Sequence, residues 1–224
     1  MYSITFREFF CKTRFAKCFV EGARMGIVVD HDARKREILQ KSLTLFADFG
    51  YPGVTYKQLA DRCGLARTAL YKYFPGKREI FDSAINQLVK ELASEFRNTV
   101  NKHPELQASQ KLELVMTQVM NLLFEHGKLL QAITEYLIAQ RRQGDNVARK
   151  VRRHTMVLRR TIVTLLREGM DNGEFQRMRC DVIGDILYGI FESAAFRVAI
   201  ADTADINTLI NSCKVTIEAL KTKR

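Results

Sequence analysis

The sequence predicts an all-α protein of about nine helices. Three observations carry that expectation. Apolar residues recur at three- and four-residue spacing along most of the chain, only 3 of its 224 residues are proline, and no long run of alternating β-branched residues occurs. The pattern divides the chain into an extension over residues 1–29, a three-helix unit over residues 30–76 and a larger helical unit over residues 77–224. A hydrophobic content of 46% is enough to bury a sizeable core.

Residues 1–29 differ from the rest. Phe6, Phe9, Phe10, Phe15 and Phe19 alternate with Arg7, Lys12, Arg14 and Lys17, so no continuous apolar stretch of a secretion signal forms. The plain reading is an unstructured extension, with Met25 opening a chain that looks complete without it. The sharper reading is an amphipathic surface helix or a basic arm along DNA.

From Asp32 the helical period is clear. Ile38, Ser42, Leu45, Phe46 and Phe49 share a face, and Gly50 to Gly53 ends the helix. Thr55 and Gln58 form a T-x-x-Q capping box, which marks a helix start. Leu59, Ala60 and Cys63 give that short helix its apolar stripe, and Gly64 suits a left-handed exit. A second short helix begins near Ala66 and turns Ala69, Leu70 and Phe74 inward before Pro75 and Gly76 stop it. Two short helices joined by a Gly-containing turn, with cationic and hydroxyl groups on the second, describe a helix-turn-helix and imply a DNA-binding unit. Arg67, Thr68 and Lys72 are the candidates for base edges. Tyr56, Tyr71, Tyr73 and Lys77 are the candidates for phosphates, with Thr55 assisting at the helix start.

Lys77 opens a long helix through Ile80, Phe81, Ala84, Ile85, Leu88, Leu92 and Phe96, which links the two units. His103-Pro104 breaks the chain. A helix with Leu112, Val115, Met116, Val119, Met120, Leu123 and Phe124 follows, and Gly127 separates it from one over 129–142 with Leu130, Ile133, Tyr136 and Leu137 as its apolar set. Met116, Met120, Phe124, Tyr136 and Met156 are candidates for a cavity taking a small apolar or amphipathic ligand, since methionine adapts to irregular shapes. Ordinary core is the plainer reading of such methionines. Arg141 to Arg160 holds eight cationic residues against Asp145 alone. Most such runs are solvated faces, and a second anion-binding surface is the alternative. This stretch opens a helix that ends at Gly169 to Gly173. Asp181 caps a helix that is apolar around much of its circumference, and Asp205 to Leu220 supplies the last one. Ile186, Ile190, Phe191 and Ala194 of the former, with Ile206, Ile210, Cys213 and Ile217 of the latter, leave too much apolar surface for a monomer. Pairing with the same two helices of a second copy covers it, as a homodimer.

Leu65, Ala69-Leu70-Tyr71, Phe74 and Lys77, preceded by Gly50-Tyr51, Thr55 and Leu59-Ala60, together resemble the DNA-binding domain of TetR-type one-component transcriptional regulators, over roughly residues 34 to 82. Ala66 stands where that family usually has Ser or Thr, and Thr68 where it often has Gly or Ser. Glu174-Phe175 after Gly173 looks like the family's G-x-F junction. The resemblance implies a homodimer on a palindromic double-stranded DNA operator, with the C-terminal helices as a ligand-binding and dimerisation domain. A ligand-relieved repressor is the expected mode.

A net charge of +11 favours a polyanionic partner. Cys11, Cys18, Cys63, Cys180 and Cys213 form no C-x-x-C pair, which reads as reduced thiols in the cytoplasm and neither a disulfide framework nor a metal site. His31, His103, His126 and His154 are far apart and lack any G-x-S-x-G, P-loop or H-E-x-x-H context, so neither catalysis nor a cofactor is expected. No segment approaches the ~18 consecutive apolar residues of a membrane span. The competing reading is a helical adaptor, or a nonspecific DNA-binding protein without ligand control.

Overall fold

The structure is a computed structural model that describes residues 31–201 and 205–222. The expected extension over residues 1–29 lies outside these. Nine α-helices are formed by the described residues: α1 (His31–Gly53), α2 (Tyr56–Cys63), α3 (Arg67–Tyr71), α4 (Lys77–Asn101), α5 (Ala108–Glu125), α6 (Gly127–Arg142), α7 (Val147–Asp171), α8 (Cys180–Phe196) and α9 (Ile206–Ala219). A π-helical turn, Arg197–Ala201, continues α8.

Two apolar clusters organise them. The first joins Ile38, Leu43 and Phe46 of α1 to Leu59 of α2, Leu70 of α3 and Phe81 and Ile85 of α4. Phe81 meets Phe46 edge-on, with ring centroids 4.7 Å apart. The chain turns out of α1 at Gly50, which takes φ 68°, and a last helical turn carries it to Gly53. A Cβ at Gly50 would be strained and would also meet the Glu135 carboxylate at 2.9 Å.

This first cluster does not stop at residue 76. Leu129 and Tyr136 of α6 belong to it, and α6 lies along α1. The buried face of α6 is Leu129, Ala132, Tyr136 and Gln140. Of the expected set of Leu130, Ile133, Tyr136 and Leu137, Tyr136 is buried and Ile133 and Leu137 pack partly buried against the same cluster, while Leu129, Ala132 and Gln140 are buried in addition because α6 lies beside α1.

The second cluster packs α5, α7, α8 and α9, with Leu112, Met116, Ile162, Leu166, Leu187 and Ile217 at its centre. Phe175 plugs it by lying against Gly169, where an added Cβ would stand 2.2 Å from the ring. The chain end then crosses this turn: the Gln176 N–H donates to Leu220 O (3.0 Å) and the Thr222 N–H to Glu174 O (2.9 Å). α8 begins at Cys180, so Asp181 sits inside its first turn, paired to Arg179, instead of serving as the expected cap. The carboxylate still lies at the positive end of the helix dipole.

Candidate nucleic-acid interface

The two-helix unit is built from its caps inward. Thr55 Oγ accepts from the Gln58 N–H (3.2 Å), while Gln58 Oε1 accepts from the Thr55 N–H (2.7 Å) and hydroxyl (2.8 Å). The expected capping box is therefore present, and it occupies the Thr55 side chain. Gly64 exits α2 at φ 65°, letting the Leu65 N–H return to Ala60 O (3.0 Å). Ala66 precedes α3 with no side-chain cap. Leu70 is fully buried and Phe74 nearly so, which turns the opposite face of α3 outward. Arg67, Thr68 and Lys72, the expected base-edge residues, are all exposed there.

The aromatic residues expected at phosphates brace the unit. Tyr56 donates its hydroxyl to Phe74 O (2.7 Å) and stacks on Tyr71 at 4.4 Å. Burial, then the neighbouring Tyr71, pushes the Tyr56 phenol up to about 12, so it remains a donor. Tyr71 is 49% exposed, and Tyr73 stacks on His31 at 4.7 Å. The Lys77 ammonium donates to Tyr51 O (2.9 Å) and Val54 O (2.8 Å) and lies 4.4 Å from the centre of the Tyr51 ring. That contact fastens α4 to the α1–α2 connection. Tyr56 and Lys77 thus have structural tasks in place of the free phosphate donors expected, because carbonyl groups freed at a helix end and a turn lie closer than solvent.

The expected ligand residues are not brought together. Met116 and Met120 are fully buried in the second cluster, whereas Tyr136 belongs to the first. Met156 is half-buried on α7. Of the five, Phe124 lines a cleft of about 700 Å³ between α1, the α5–α6 break and the π-helical turn. Its other walls include Asp48, Glu125, Lys128, Leu129 and Val198. Gly127 permits this approach, since a Cβ there would meet Val198 Cγ1 at 3.1 Å. Its signal in the sequence is His126-Gly127, where the helical period is interrupted.

The expected dimer residues divide in two. Phe191, Ala194, Cys213 and Ile217 are buried within the protomer, where burial pushes the Cys213 thiol up to about 11. They are core, because α8 and α9 turn them against α5 and α7. Ile186 is 53% exposed, Ile190, Ile206 and Ile210 are half-buried, and Val182 and Val215, which were not expected at the interface, are 44% and 70% exposed.

A polar seam between α4 and α7 was missed from sequence. Lys150 donates to both Asp82 oxygens (2.8 and 2.9 Å) and to the Tyr136 hydroxyl (2.9 Å), which itself donates to Asp82 Oδ1 (2.8 Å). Arg78 pairs with Asp145 at one end, and His154 Nε2 lies 2.8 Å from Asn86 Oδ1 at the other. Polar residues 78, 82 and 86 facing 150 and 154 repeat at the helical period, which was the available signal.

Residues 38–84 match the family model described as bacterial regulatory proteins, tetR family. The chain is 27% identical over 101 residues to the HTH-type transcriptional repressor KstR of Rhodococcus jostii, a match covering 45% of this chain and 46% of that protein. In that match the chain spans about half the length of its curated relative. Among solved structures, a TetR transcription regulator from Haloarcula marismortui superposes with a TM-score of 0.74 at 18% identity, covering 85% of this chain and 100% of that one. The transcriptional regulator FadR from Bacillus subtilis, in complex with stearoyl-CoA, gives 0.66 at 20% identity, covering 81% and 96%. The matched segment contains Thr55, Arg67, Lys72 and Lys77, and the helical fold around it is similar to that of both structures, so residues 38–84 are a DNA-binding segment of the kind found in the tetR family of bacterial regulatory proteins.

Proposed function

We propose that this protein is a cytoplasmic transcriptional regulator that binds a palindromic DNA operator as a homodimer, and that a small apolar or amphipathic ligand relieves its repression. The observation that carries the reading is α3 itself: its buried side is anchored by Leu70, and its outer side presents Arg67, Thr68 and Lys72 to solvent. Such side chains suit the major groove, where Arg reads guanine and Thr contacts either base edges or a thymine methyl. In this reading Tyr71 and Tyr73 meet flanking phosphates and Thr55 assists by fixing the start of α2, with Tyr56 and Lys77 holding the frame. Residues 30–76 act as the DNA-binding unit and 77–224 as the regulatory and dimerisation unit.

The ligand is assigned to the cleft against α1, in place of the methionine cluster. Phe124, Leu129 and Val198 supply apolar wall, and the volume of about 700 Å³ suits a small organic molecule. FadR of Bacillus subtilis was solved with stearoyl-CoA, which supports an extended apolar ligand class for this chain. Since α1 forms one wall, an occupant that prefers one position of α1 shifts the DNA-binding equilibrium by that preference. Among the described residues no helix is long and apolar enough to cross a membrane.

Selecting duplexes from a random pool with the purified protein tests the reading. The expected product is a two-fold symmetric consensus with half-sites about 34 to 36 Å apart or a multiple of it. Binding selected and random DNA with less than about a 10³-fold difference at physiological salt would leave the nonspecific or adaptor reading instead.

A further inference from the structure

The corner between α6 and α7 carries a cluster of charge that neither the helix-turn-helix nor the polar seam uses. Arg141, Arg142, Arg149, Arg152 and Arg153 are all exposed, and none forms an ion pair within the described residues. The acidic residue of this stretch, Asp145, is already paired with Arg78. Residues 149, 152 and 153 stand three and four apart on one helix, where like charges repel and weaken the helix unless an anion neutralises them. The last-turn position of Arg141 and Arg142 complements the α6 dipole, but that explanation does not reach the first turns of α7, where cations face the positive end.

Position supplies the second argument. Asp145 joins Arg78, and Lys150 joins Asp82, so the corner is pinned to the first two turns of α4. The neighbouring Lys77 in turn holds the carbonyl of Val54, the residue before the α2 cap Thr55. The corner is therefore linked to the start of the helix-turn-helix through the first turn of α4. A seven-atom arginine side chain extends the reach of such a surface further, and the planar guanidinium matches phosphate geometry.

We propose that the α6–α7 corner is a second DNA-backbone contact, in which Arg141, Arg142, Arg149, Arg152 and Arg153 neutralise phosphates of the duplex whose bases α3 reads. The proposal rests on the DNA-binding reading above and adds a surface from outside the three-helix unit. It makes this contact sequence-independent, so it strengthens binding without changing base preference.

The test is the salt dependence of operator binding by the full chain, comparing the wild type with Arg149→Gln/Arg152→Gln/Arg153→Gln. Each lost phosphate contact lowers the slope of log K against log salt by about 0.9. The triple variant is expected to be shallower by about 2 to 5 per dimer, with an unchanged consensus sequence, and the corresponding Arg→Lys triple is expected to restore most of the slope. A difference below about 1 overturns the proposal, as does loss of binding to RNA or to an anionic polymer with operator binding unaffected. If the triple variant loses its helical signal, the three single substitutions are measured in the same way, and no change in any of them overturns it. Failure of the DNA reading itself is recognised separately, since the wild type would then show no operator preference at all.

Discussion

Lys77 shows how a residue type with an obvious electrostatic use is redirected by its neighbours. Burial lowers its pKa, and two carbonyls accept from its ammonium. Lys77→Ala is expected to lower the unfolding free energy by about 1 to 2 kcal/mol in urea, because two partly buried carbonyls lose a charged donor. An unchanged urea midpoint with a shallower salt slope for DNA would return Lys77 to the phosphate. Tyr56 gives a pH signature. Its phenol ionises near 10 when unfolded but at about 12 in the fold, so between these values the unfolded chain releases a proton that the folded chain keeps. Stability contributed by Tyr56 is therefore complete below pH 10 and falls as pH rises toward 12. Tyr56→Phe should flatten that alkaline decline in thermal melts, and a curve identical to wild type would contradict the assignment. Tyr51, Tyr136 and Tyr188 are also raised, chiefly by burial, so the decline is reduced and not abolished.

Between elements, the polar seam joins α7 to the first turns of α4, whose Phe81 and Ile85 pack in the same cluster as α1, α2 and α3. Its Asp82–Lys150 pair is partly shielded, with side chains 28% and 20% exposed. Removing one partner leaves the other charge poorly solvated, so Lys150→Met is expected to cost about 1 to 2 kcal/mol, below the value for a fully buried pair. A double-mutant cycle with Asp82→Asn measures the coupling. If the two losses simply add, the seam is not a coupled unit. Because Asp82 also accepts from Tyr136, α6 shares this joint, and movement of α6 at the cleft would be felt at α4.

For the whole molecule, the proposed homodimer rests on the exposed apolar face of α8 and α9. Val182, Ile186 and Val215 line a surface that a single copy leaves wet. Ile186→Arg is expected to produce a folded monomer by sedimentation and to weaken operator binding at least tenfold, because two half-sites can no longer be held by one particle. The variant should nearly keep its melting temperature at low concentration, since the Ile186 side chain is more than half exposed on the protomer. A dimer that persists would move the interface elsewhere.

Much of this protein was determined by its sequence alone, where the causes are local. The Thr55–Gln58 box, the left-handed Gly64, the outward face of α3 and the helical order all follow from hydrogen bonds and periodicities that span a few residues. The tertiary structure decided what depends on partners distant in the chain. It turned α6 so that Ala132 and Gln140 are buried, placed Met116 and Met120 in solid core, sent Phe191 and Cys213 inward and Val215 outward, and gave the Lys77 and Tyr56 donors to carbonyls 18 to 26 positions away. A helical stripe states that one face is apolar, but which neighbour meets that face, and which polar tip finds a partner first, is set only when the helices pack.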